Sequence, residues 1–145
     1  MQNLMQNKKR WLQFALWLGI IGDAGCVVAM ISPDIFLSTM WRGIDLDPAS
    51  PGLRMGLLYG TPLMVGWTLV MLWAVHKPLE RKFVVLLTAF PVIAGGFPVS
   101  FYIIASGLNS LTNMLPQLVT QVVMTGIFGL AYWYNRTSER ETTEG

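Results

Sequence analysis

Long apolar stretches alternate with short polar segments along this chain. Four stretches stand out, at about residues 11–31, 55–75, 83–105 and 114–134. An α-helix needs about 20 apolar residues to cross the hydrocarbon core of a bilayer, and each stretch is at least that long. The pattern predicts an all-α integral membrane four-helix bundle, with residues 1–145 forming a single transmembrane domain.

The polar segments carry turn and helix-cap signals. Ser32-Pro33-Asp34 predicts a helix N-terminus, because Ser is a favoured N-cap and Pro is favoured at the first helical position. The apolar residues that follow, up to Trp41, predict a short amphipathic helix on the outer membrane surface between the first and second spans. Ser50-Pro51-Gly52 predicts a turn. Residues 1–7 and 135–145 are polar and predict flexible cytoplasmic tails.

Glycine and proline mark special points within the spans. In the second span, Gly56-x-x-x-Gly60 matches the small-x-x-x-small pattern that lets two helices approach closely. The middle of the third span is rich in Pro and Gly, and because Pro lacks a backbone N–H we predict a kink or a local break there. The glycines predicted to pack between helices are Gly19, Gly56, Gly60, Gly95 and Gly96.

Composition supports a membrane protein and removes several functional classes. Hydrophobic residues make up 53% of the chain and charged residues 12%, against about 25% charged residues in soluble domains. One Cys and one His exclude an internal disulfide and predict no metal site and no cofactor. The pair Asp45 and Asp47 has too few further oxygens for a calcium site, so we interpret it as a solvated loop.

The basic residues predict the orientation. The chain has 10 Lys and Arg residues, and four spans place all but Arg42 and Arg54 on the side of the two termini. The positive-inside rule then predicts cytoplasmic termini and a multi-pass protein of the cell (inner) membrane. Since these residues form the topology signal, we expect no nucleic-acid binding.

A cleaved lipoprotein signal ending at Cys26 is an alternative for the N-terminal region. Ala24 and Gly25 fit the small residues before such a cysteine. Two features oppose it. Asp23 stands where that signal has a large apolar residue, and the chain stays apolar to Ile31, whereas an h-region ends at its cleavage site.

Asp23 is the only acidic residue within the four stretches. A charge at that depth costs about 2.5–3.5 kcal/mol even on the lenient insertion scale, so it marks a functional group or has a structural partner. Counting helix rise from the span ends predicts one layer that contains Asp23, Thr61, Gly95 and Gln121. Thr68 shares a helix face with Thr61.

Polar residues on the other spans extend this layer. Gln117, Gln121 and Thr125 repeat every four residues on the fourth span, and Tyr102 continues a three-and-four spacing on the third. Such faces should point into the bundle. We therefore predict a small polar pocket with Asp23 in its wall, where Asp23 is either a proton-binding group or a protonated packing contact.

No enzyme motif is present, so we predict a protein that is not an enzyme. The first hypothesis is a helix-bundle binding protein or partner subunit, in contact with the lipid bilayer and with another membrane protein or a second copy. The second is a proton-coupled small-molecule transporter that uses Asp23, as a homodimer. The third, an intramembrane enzyme acting on a lipid-like substrate, lacks a second catalytic group at the depth of Asp23.

Four spans with one acid in the first resemble the small multidrug exporters in architecture. This resemblance implies proton-coupled export and supports the second hypothesis. The chain departs from those exporters in its greater length and its larger outer loop, and no local motif around Asp23 matches them.

Overall fold

The computed structural model describes the backbone of residues 2–143 and the side chains of residues 6–135. All its regular elements are helices. In chain order they are α1 (Gln2–Met30), α2 (Pro33–Thr39), α3 (Pro51–His76), α4 (Lys82–Leu87), a π-helical segment (Thr88–Ala94), α5 (Gly96–Ala105) and α6 (Leu111–Thr143).

The four apolar stretches predicted as spans are confirmed as helices. The helices α1, α3 and α6, together with the continuous helical stretch Lys82–Ala105, are each long and apolar enough to cross a membrane. Helical backbone also continues through the described part of both predicted tails, from Gln2 and as far as Thr143. Residues 1, 144 and 145 lie outside the described residues, and the flexibility of the tails stays a prediction.

The short helix between the first two spans is also confirmed, as α2. Ser32 is its N-cap residue and Pro33 opens it, although the Ser32 side chain makes no capping bond. The Phe36 and Trp41 rings pack together with their centroids 5.3 Å apart. The position of α2 on the outer membrane surface stays a prediction.

The prediction of a turn at residues 50–52 is wrong, because α3 begins there. Ser50 is the N-cap, its hydroxyl accepts a bond from the Leu53 N–H at 3.4 Å, and Pro51 is the first helical residue. This is the same Ser-Pro signal that predicted α2, and it could have placed the start of the second span correctly.

The third span is interrupted as predicted. Thr88–Ala94 is π-helical and contains Pro91. Gly95 follows it, and a Cβ there would collide with the Pro91 carbonyl oxygen. Glycine is therefore required at this position by the backbone of its own helix, rather than by packing against another helix.

Helix α1 lies at the centre of the packing. It packs antiparallel to α3 and also contacts α6, which in turn lies against α4, the π-helical segment and α5. Gly19 stands where α1, α3 and α6 meet. The largest fully buried side chains around this crossing are Leu12, Leu16, Met71, Val85 and Phe128.

Helix α3 is held mainly on one side. Within residues 2–143 it packs along α1, touches α2 and α4, and has no extensive contact with the π-helical segment, α5 or α6. The four spans therefore do not form a closed ring, and the predicted pocket enclosed by all four helices is wrong in that respect.

The two ends of the bundle differ. Lys8 lies over the Tyr134 ring with its Nζ 5.8 Å from the centroid, so the start of α1 lies beside the end of α6; we call this the terminal end. At the opposite, loop end, buried Asn109 donates to the Arg42 carbonyl at 2.9 Å and accepts from the Asn113 amide at 3.1 Å. The bond to Arg42 connects the loop after α2 to the turn before α6, and the bond from Asn113 holds the Asn109 amide in position.

Candidate functional site

Asp23 meets the second span at Thr68. The Thr68 hydroxyl lies 3.4 Å from Asp23 Oδ2 and 2.9 Å from the Met64 carbonyl oxygen. A hydroxyl has one proton to donate and can also accept. The Thr68 hydroxyl is the donor toward both oxygens, so its one proton is shared between Asp23 and the nearer Met64 carbonyl.

No basic side chain neutralises Asp23. Among the residues whose side chains are described, the one ion pair joins Lys77 and Glu80, at the surface of the terminal end. Asp23 itself is half-buried between α1 and α3. Within the described side chains, the site is thus a carboxyl group with a hydroxyl partner and no counter-charge, on a helix long and apolar enough to cross a membrane.

Several polar side-chain atoms of the spans are buried without a hydrogen-bond partner in the described structure. They include Trp67 Nε1, Gln117 Oε1 and Thr125 Oγ1. Trp67 directly precedes Thr68, and Thr125 follows Met124, which lies opposite Gly22 on α1. Buried polar groups are normally paired, and an unpaired one costs about 1–3 kcal/mol. The interior thus has unused hydrogen-bonding capacity on both α3 and α6.

The structure separates the residues predicted to share one layer. Thr61 donates to the Leu57 carbonyl at 2.7 Å and lies toward the loop end, away from Asp23. Gln121 instead faces α5, with its Oε1 3.5 Å from the Ser100 hydroxyl. Two polar contacts result, one between α1 and α3 and one between α5 and α6.

Tyr102 does not line the interior. Its side chain is 69% exposed, so the prediction that it faces the pocket is wrong. The three-and-four spacing assumed an uninterrupted α-helix, whereas a π-helical turn holds more residues and rotates the residues that follow it.

The predicted packing glycines divide into three groups. A Cβ on Gly19 would lie 2.8 Å from both Met71 Sδ and Phe128 Cζ, and one on Gly60 would lie 2.7 Å from Met30 Cε. Gly96 meets the Gln121 amide group, whereas Gly95 meets only its own helix backbone. At Gly56 no atom lies within 4 Å of the added Cβ, so no other helix of the described structure packs closely against this glycine.

Among the titratable groups, the Cys26 thiol lies one helical turn from Asp23 on α1, whereas His76 lies far from it. The His76 Nδ1–H donates to the Leu72 carbonyl at 2.8 Å, at the exposed end of α3. His76 is eight residues beyond Thr68, or about 12 Å of helix rise. Across the described residues, no three His, Cys, Asp or Glu side chains are grouped to hold a metal ion.

Sequence reasoning missed two polar contacts. Ser100 pairs with Gln121, and Asn109 joins the two loops. The bond of Asn109 joins residues 67 positions apart, so no local pattern points to it. The chain matches no protein-family model, no curated protein and no solved structure at a significant level.

Proposed function

We propose that this protein is a non-enzymatic membrane helix bundle that works by binding another transmembrane helix along α3. The one-sided packing of α3 carries this proposal. Only 11% of the most apolar window of α3 is buried, compared with 33% for the first span. A span supported by one neighbour offers most of its surface to a partner, which is either a second copy or a different membrane protein.

The open face of α3 has the composition of a helix–helix contact. Its residues follow a three-and-four spacing and are all exposed. They are Gly52, Gly56, Tyr59, Leu63, Gly66, Val70 and Trp73. Among the described residues, and apart from the backbone of α3 itself, no atom lies within 4 Å of a Cβ built on any of the three glycines. Small residues let transmembrane helices pack closely, which supports a partner helix on this face.

Asp23 contributes to this function by holding α3 in place. Its contact with Thr68 crosses from α1 to the face of α3 opposite the open one. An interhelical bond of this kind is worth about 0.6 kcal/mol. The polar site around Asp23 thereby sets the rotation of α3 and the residues that it presents.

Photo-crosslinking in native membranes tests the proposal. A photoreactive amino acid at Leu63, which is 75% exposed on the open face of α3, should give one discrete protein adduct. The matched control is Leu130, which is 72% exposed on α6 and should give lipid adducts alone. Protein adducts of equal yield at both positions, or at neither, would contradict the proposal.

A proton-coupled small-molecule transporter is the second candidate function. It is favoured by the carboxyl group without a counter-charge and by the π-helical interruption of the third span, since broken helices in transporters accompany binding sites. In liposomes with a pH gradient, cationic substrates should then release protons, and Asp23→Asn should abolish the release. Under the binding proposal, neither the wild-type protein nor Asp23→Asn should release protons when these substrates are added.

We also propose that the terminal end faces the cytoplasm in the cell (inner) membrane. Basic side chains there lie against aromatic rings, as Lys8 does on Tyr134 and Arg81 does on Trp73. This supports an interface rich in positive charge, as expected on the cytoplasmic side. Reporter fusions at both termini should be active as cytoplasmic fusions and inactive as exported ones.

A further inference from the structure

An apolar groove with one charge at its mouth lies at the loop end. It runs between the end of α1, the start of α2 and the first turns of α3, and its volume is about 570 Å³. The residues that line this loop-end groove include Met30, Pro33, Arg54, Leu58, Thr61 and Pro62. Its volume falls in the range of about 300–1,000 Å³ that is typical of small-molecule sites.

The charge and the apolar lining are arranged along the helix. Arg54, Leu58 and Thr61 follow each other at four- and three-residue steps, so they share one side of α3. From Arg54 to Pro62 the helix descends about 12 Å away from the loop. The Thr61 hydroxyl already donates to the Leu57 carbonyl, which leaves the wall below Arg54 apolar.

The Arg54 guanidinium is largely available to a ligand. Its Nε donates to the Pro48 carbonyl at 3.4 Å. In the part of the chain with described side chains, no carboxylate lies within ion-pair distance of Arg54, although Asp34 directly follows the groove residue Pro33. A planar guanidinium with free N–H groups suits a phosphate, which it can bind through two parallel bonds.

A second apolar groove adjoins the first. Its volume is about 510 Å³, it is lined by Phe36, Trp41 and Leu53 among others, and it shares Met30 and Leu57 with the loop-end groove. Two apolar channels beside one cation match a molecule with two hydrocarbon chains and one anionic group.

We propose that the loop-end groove binds an anionic glycerophospholipid, with its phosphate on Arg54 and an acyl chain against Leu58 and Pro62. The loop-end groove contains no residue of the open α3 face, whereas the adjoining second groove is lined in part by Gly52 and Gly56 of that face. An arginine guanidinium beside an apolar groove can hold a lipid phosphate by a charge-assisted contact while the acyl chain lies along the apolar wall. The lipid would fill the space between α1 and α3 at the loop end, where the two helices have few other neighbours.

Native mass spectrometry of the full-length protein in detergent tests the proposal, with phosphatidylglycerol and phosphatidylcholine of identical chains as probes. The wild-type protein should bind one phosphatidylglycerol about tenfold more tightly than phosphatidylcholine. Both lipids carry a phosphate for Arg54, but the guanidinium repels the choline cation of phosphatidylcholine, whereas phosphatidylglycerol has no positive charge. Arg54→Gln should remove this preference. Arg42→Gln, at the other loop-end arginine, should keep it.

A second pair of variants tests the apolar part. Leu58→Trp fills the groove and should weaken both lipids, whereas Leu130→Trp, at an exposed position on α6 outside the groove, should weaken neither. Circular dichroism checks that each variant keeps its helices. Three results would overturn the proposal: no preference in the wild-type protein, equal loss in Arg42→Gln, or full competition by inorganic phosphate. Crosslinking at Leu63 should survive Arg54→Gln, so the two proposals can fail separately.

Discussion

Replacing Gly19 with alanine should push α1 away from both α3 and α6. The added Cβ would lie 2.8 Å from Met71 Sδ and 2.8 Å from Phe128 Cζ. Both side chains are fully buried, so neither can move aside without disturbing the core. Overpacking of this kind typically costs about 1–3 kcal/mol.

Gly25 on the same helix provides the matched control. No atom lies within 4 Å of a Cβ added there. Alanine favours the helix by about 1 kcal/mol over glycine at either position. This gain therefore cancels when Gly19→Ala is compared with Gly25→Ala, and the difference of about 1–3 kcal/mol measures the overpacking alone.

The free energy of unfolding can be measured by titrating each variant in mixed micelles with a denaturing detergent and following its helicity. We expect Gly25→Ala to be slightly more stable than the wild-type protein and Gly19→Ala to be less stable than Gly25→Ala. The larger pair, Gly19→Val and Gly25→Val, should widen the gap. Equal stability within either pair would refute the close crossing of the three helices at Gly19.

Three further predictions concern other contacts. In a double-mutant cycle, Asp23→Asn and Thr68→Val should show a coupling of about 0.6 kcal/mol in the unfolding free energy; zero coupling would mean that the two side chains do not interact. Asn109→Ala should cost about 1–3 kcal/mol, because the change leaves buried groups unpaired, and limited proteolysis should then cut the loop after α2 faster; unchanged cleavage would contradict the role of this bond. Arg81→Gln should lower stability by about 0.5–1 kcal/mol through loss of its aromatic contact, whereas Glu80→Gln, in an exposed ion pair, should change it by less than about 0.5 kcal/mol; the reverse order of effects would contradict this reading of the terminal end.

The sequence by itself determined where the chain crosses the apolar phase. The spans, the helix α2 and the break in the third span all follow from local properties: apolar length, a Ser-Pro cap and clustered Pro and Gly. Each of these signals acts within a few turns of helix. The boundary error at Ser50-Pro51 came from interpreting a cap as a turn, and α1 and α6 also extend beyond their predicted spans into the predicted tails.

The register between spans required the tertiary structure. Counting rise from the span ends placed Thr61 in the layer of Asp23, but the partner of Asp23 is Thr68, seven residues or about 10.5 Å farther along the helix. That count assumed that the span ends on the side of the two termini all lie at one level, and that no span is tilted. In the structure α1 begins at Gln2, well before its apolar part, and is displaced along its axis relative to α3.

The tertiary structure also decided which face of each helix points inward. Tyr102 and Gly56 were predicted to face other helices, yet Tyr102 is 69% exposed and Gly56 has open space around it. The reason is physical. Lipid tails are as apolar as leucine, so burial against protein and exposure to lipid require the same residue types. Hydropathy therefore identifies a span but leaves its rotation to the packing of helices against each other, which only the three-dimensional contacts specify.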